Sequence, residues 1–120
     1  MNIFVAAKNH RVGLVICNND NSIYYYGSFD TQSLERACQI SAATSRAVSY
    51  IKSNKVEADD TMNVYTDTPI ELKTSEYLKR NGFTLTTNVA KTDKEKQRLL
   101  LAKVEIEMAD RRRALGIKER

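Results

Sequence analysis

The feature that most constrains this chain is its first thirty residues. Three β-prone runs follow one another there with no helical pattern between them. Asn2-Ile3-Phe4-Val5-Ala6-Ala7 is short and apolar, and Arg11 to Cys17 is rich in β-branched residues. Asn18-Asn19-Asp20-Asn21 is a dense turn signal, because Asn and Asp tolerate left-handed backbone geometry. Ser22 to Phe29 is aromatic and β-prone. The three runs predict an antiparallel meander.

The pattern then changes period. Asp30-Thr31 offers a helix N-cap, and from Gln32 to Ser53 the residues Ala37, Ile40, Ala43, Ala47, Tyr50 and Ile51 recur at three and four. Met62 to Thr66 reads as a fourth strand. Thr68-Pro69-Ile70-Glu71 has the composition of a capping box, with Pro at the first helical position, and predicts a helix to about Asn81. Gly82 supplies its left-handed stop, and Phe83 to Thr87 reads as a fifth strand. Thr92-Asp93-Lys94-Glu95 is a second capping box. It opens a long helix over 92–115 with Leu100, Leu101, Val104, Met108 and Leu115 as its apolar face, followed by a basic tail at 116–120. The order is β-β-β-α-β-α-β-α. The expected fold is α/β, a mixed five-stranded sheet with helices against it, formed as one domain over 1–120.

Charge is concentrated at one end. From Met1 to Asp60 six bases meet six acids, and from Thr61 to Ala90 three meet three. Lys91 to Arg120 holds ten Lys/Arg against six Asp/Glu, which accounts for the whole net charge of +4. Arg111, Arg112, Arg113 and Lys118 are therefore the candidate contacts to phosphate or to an acidic protein surface. Cations near a helix C-terminus also complement its dipole. Tyr24, Tyr25 and Tyr26 form the densest aromatic run. Strand alternation would place Tyr24 and Tyr26 together on one face, where they could stack bases or simply pack. The long helix could pack on the sheet, dimerise through Leu100, Leu101, Val104 and Met108, or present its arginine end to phosphate.

Other classes are disfavoured. No stretch approaches the ~20 apolar residues that span a bilayer. The N-terminal segment lacks the basic region and long apolar run of a signal peptide. Cys17 and Cys38 make neither a disulfide framework nor a metal-ligand spacing, and read as buried small hydrophobes of a cytoplasmic protein. His10 sits beside Arg11 in a hairpin loop without an evident partner for proton transfer.

The element order and two short motifs resemble the ribonuclease H-like fold. Leu34-Glu35-Arg36-Ala37, at the start of the first helix, is similar to the family's helix-borne carboxylate motif. Val64-Tyr65-Thr66-Asp67-Thr68 is similar to the strand that ends in a catalytic Asp, and Lys79 to Phe83 resembles the helix end before the last strand. The resemblance implies a metal-dependent nuclease using Glu35, Asp67 and a late acid such as Asp93, with Mg²⁺ or Mn²⁺ held between them. The chain departs from the family at its first strand, because Asn2 to Lys8 contains no Asp or Glu to bridge two metal ions.

The expected function is accordingly a non-catalytic binding protein that needs no cofactor. A stripped-down domain of this kind suits a viral or mobile-element accessory factor. The favoured partner is a host protein or complex with an acidic surface, met through the basic C-terminal helix. Nucleic acid is the alternative partner, and a degenerate nuclease is the catalytic alternative.

Overall fold

A computed structural model describes residues 1–116. The chain forms β1 (Asn2–Lys8), β2 (Arg11–Cys17), β3 (Ile23–Asp30), α1 (Arg36–Asn54), β4 (Thr61–Thr66), α2 (Glu76–Arg80), β5 (Thr84–Val89) and α3 (Asp93–Ala114). The five strands make one mixed sheet in the order β3-β2-β1-β4-β5. The meander is antiparallel, β1 with β2 and β2 with β3, while β4 pairs parallel with both β1 and β5.

Strand alternation divides the core in two. Ile3 and Val5 of β1, with Val12, Leu14 and Ile16 of β2, point to the α1 side and meet Ile40, Ala43, Ala47, Val48 and Ile51. Phe4, Ala6, Val15 and Cys17 point to the other side and meet Leu99, Ala102 and Ile106 of α3. Both faces of β1 and β2 are covered, which is why their sequences are nearly continuous apolar runs rather than alternating ones. Small residues set the layer spacing on both sides: Ala43 and Ala47 of α1 are fully buried, and so is Ala102 of α3.

The local signals hold at several ends. Asn21 takes a left-handed conformation in the β2–β3 turn, Gly82 follows α2 with φ 81°, and Gly116 follows α3 with φ 75°. The Thr92 capping box is complete. The Thr92 hydroxyl accepts from the Glu95 amide at 3.1 Å, and the Glu95 carboxylate accepts from the Thr92 amide at 3.2 Å.

Two helix starts differ from expectation. Asp30 does not cap α1, because it is the last residue of β3, paired in register with Arg11. The helix begins only at Arg36, after Thr31 and Ser33 have made a hydrogen-bonded loop. The box at Thr68 is not a helix start either. Ile70 and Leu72 both reach the core, and a spacing of two suits extended rather than helical backbone. The Thr68 carbonyl accepts from the Thr66 hydroxyl at 2.7 Å instead, and α2 is a single short turn capped by Ser75.

The predicted face of α3 is also corrected. Its buried residues are Leu99, Ala102, Ile106 and Ala109. Leu100, Val104, Met108 and Leu115 lie roughly on the opposite side and are 59%, 39%, 41% and 75% exposed. Leu101 is half-buried beside the core. Cys38, expected to be buried, is exposed on α1, whereas Cys17 is buried. No helix among the described residues is long and apolar enough to cross a membrane.

Candidate functional site

The outer face of α3 carries an exposed apolar row. Leu100, Val104 and Met108 recur every four positions, so they stack along one side of the helix. Exposed apolar residues scattered singly are ordinary, but an aligned row on a helix already docked by its other face is not explained by folding. Arg111 falls in line with this row one turn beyond Met108, and Arg112 flanks it.

The arginine cluster splits into two roles. Arg113 turns back to the sheet, where its Nη2 lies 2.7 Å from Asp30 Oδ2. Asp30 and Asp110 share the buried Arg11, at 3.4 and 3.5 Å from its Nε, and Lys8 reaches Asp110 at 3.6 Å. This network ties the last turns of α3 to the open ends of β1, β2 and β3. Arg111 and Arg112 are exposed and stand outside it. Lys118 lies outside the described residues.

Glu35, Asp67 and Asp93 do not form a metal-holding group. Asp67, just after β4, faces Lys103 of α3 at 3.4 Å. It lines a small pocket of about 40 Å³ with Ala6, Ala7, Arg36 and Lys103. Glu35 precedes α1, does not line that pocket, and accepts a hydrogen bond from the Cys38 thiol at 3.3 Å. Asp93 is the first residue of α3 and is exposed. Among the described residues no three His, Cys, Asp or Glu side chains gather to hold a metal. One carboxylate beside a guanidinium and an ammonium does not fit a pair of divalent ions, which need several hard oxygen ligands.

The tyrosines are separated by a β-bulge. Ile16 pairs with Tyr25 and Cys17 with Ile23, so Tyr24 is the extra residue. The bulge turns Tyr24 toward the α1 core, where its carbonyl accepts from the Tyr50 hydroxyl at 3.0 Å. Tyr26, opposite Val15, is on the other face and 53% exposed. Tyr24 and Tyr26 therefore do not share a face. His10 lies in the exposed β1–β2 turn, and its carbonyl accepts from the Thr31 amide at 2.7 Å.

One polar cluster carried no signal in the sequence. The Met1 ammonium is buried and bonds Asp59 at 2.6 Å and the Thr61 carbonyl at 2.9 Å. Asn2 links to Asn21 at 2.7 Å and accepts from Asn63 at 3.0 Å. These bonds join the starts of β1 and β4 to Asn21 in the β2–β3 turn.

Comparison with protein-family models, curated proteins and solved structures finds no match to this chain.

Proposed function

We propose that this is a non-catalytic binding protein on a ribonuclease H-like scaffold. It docks a partner protein with an acidic surface, in the cytoplasm, through the outer face of α3. The scaffold reading is supported by the sheet order, with β1 central and β4 parallel to it. The single observation that carries the binding reading is the row Leu100, Val104 and Met108 running into Arg111 and Arg112.

The parts divide the work in the usual way. Apolar side chains at the centre would gain about 25 cal/mol per Å² buried on docking. Arginines at the end would meet carboxylates and set orientation, since a planar guanidinium pairs with a carboxylate through two bonds. The modest charge excess favours a protein partner over nucleic acid, whose dedicated binders carry a broader basic surface.

Affinity capture tests this, with the intact protein and a Leu100→Ser/Val104→Ser/Met108→Ser variant as baits. The reading expects a partner held by the intact protein and lost by the variant. A parallel titration against single-stranded and duplex oligonucleotides addresses the alternative. Binding that weakens steeply with salt and depends on Arg111 and Arg112 would move the site to nucleic acid.

A further inference from the structure

The outer face of α3 also carries charges left over from the fold's own ion pairs. Lys103 pairs with Asp67, Arg113 with Asp30, and Asp110 with Lys8 and Arg11. Asp93, Lys96, Glu107 and Arg111 are exposed and make no ion pair among the described residues. Asp93 and Arg111 fall within about 20° of Val104 around the helix, and Lys96 and Glu107 about 60–80° from it on one flank. Both pairs therefore border the apolar row.

Their order along the helix is symmetric. Asp93 and Arg111 stand nine residues either side of Ala102. Lys96 is six before it and Glu107 five after, and Leu100 and Val104 are two either side. Each acid on one side of that midpoint is answered by a base on the other.

Such a face is complementary to itself. In a two-fold antiparallel pair of helices, a contact between residue i and residue j occurs twice, and each flank faces the same flank of the other helix. With Ala102 level in both copies, Asp93 meets Arg111, Lys96 meets Glu107, and Leu100 meets Val104 at the centre. A parallel pair would instead set Asp93 against Asp93 and Arg111 against Arg111. A shallow crossing of about 20° keeps two helices together over the turns that these contacts span.

We infer that α3 pairs antiparallel with α3 of a second copy, about a two-fold axis level with Ala102. The apolar centre is short, so the dimer forms and parts with concentration instead of being permanent. It covers the row through which the partner protein docks. The inference thus rests on the reading of that face as a docking surface, and it makes the second copy the partner protein's competitor.

Sedimentation of the purified protein over a range of concentrations tests it. A monomer–dimer equilibrium is expected. Lys96→Glu and Glu107→Lys should each weaken the dimer about tenfold, because two surface pairs turn from attraction to repulsion. An equal mixture of the two variants should recover it, since the acids of one copy then meet the lysines of the other. A protein that stays monomeric at every concentration would overturn the inference, and so would a dimer indifferent to both substitutions or a mixture no tighter than its components. The proposed function fails separately. A monomer that captures a partner protein through Leu100, Val104 and Met108 sinks the dimer alone, whereas a dimer with the expected charge pattern that captures nothing upholds the dimer and sinks the partner protein.

Discussion

Gly13 of β2 lies directly beneath Ala102 of α3, so close that a Cβ on Gly13 would sit 1.9 Å from the Ala102 carbonyl oxygen. The obstacle is backbone, which cannot swing aside as a side chain would. This contact seats α3 on the sheet and thereby turns Leu100, Val104 and Met108 outward.

Gly13→Ala is therefore expected to cost about 3 kcal/mol or more, at the upper end of what overpacking does. Chemical denaturation would read the loss. Ala102→Gly in the same protein should not rescue it, because the clash is with the carbonyl and not with the Ala102 side chain.

The three arginines should separate in stability measurements. Arg113→Ala removes the 2.7 Å pair with Asp30 and loosens the last turn of α3. A loss of roughly 1 kcal/mol is expected, as for a well-formed charged pair. Arg111→Ala and Arg112→Ala should stay within about 0.5 kcal/mol of the intact protein, as exposed substitutions generally do. Thermal melts of the three single variants check this ordering.

Cys17 and Cys38 should differ sharply toward a thiol reagent. Burial pushes the Cys17 thiol up to about 11, against the opposing charge of Arg98. Cys38 is exposed on α1. One thiol per chain should react quickly in native buffer, and the second only on unfolding. The pH dependence follows in sign. The unfolded chain releases the Cys17 proton near 9.0 and the folded chain only near 11, so raising the pH through that window favours unfolding. Cys17→Ala should remove that part of the alkaline loss.

Asp59 works in the opposite direction. Hydrogen bonds from the Met1 ammonium and from Asn19 hold its carboxyl below the ordinary value of 3.8. Its contribution to stability is present above that ordinary value and is lost as the pH falls through the depressed one. Asp59→Asn should flatten the acid limb of a stability–pH profile, read by chemical denaturation at a series of pH values.

The parts of the fold legible in the sequence are those set by local rules. β2 begins and ends where its β-branched run does, and the Thr92 box opens α3 as its spacing requires. The parts that were not legible depend on contacts distant in the chain. Asp30 looks like a cap until its pairing with Arg11 places it in β3. Ile70 and Leu72 look helical in composition, yet the core draws both in from an extended segment. α3 carries apolar residues on two opposite sides, and periodicity alone does not say which side meets the sheet. The side with Leu99, Ala102 and Ile106 is the one that meets Phe4, Val15 and Cys17 and lets Ala102 close on Gly13. The sequence names the row and the arginines together, but not which of them the sheet takes up, as it does Arg113, and which it leaves outward, as it does Leu100.

The most direct test of the central claim places a photo-cross-linking amino acid at Met108 in one protein and at Glu57, far along the chain and also exposed, in another. The account predicts a protein partner cross-linked from Met108 and not from Glu57, and its loss when Arg111→Glu and Arg112→Glu are added. Equal cross-linking from both positions, or a Met108 product untouched by the charge reversals, would contradict it.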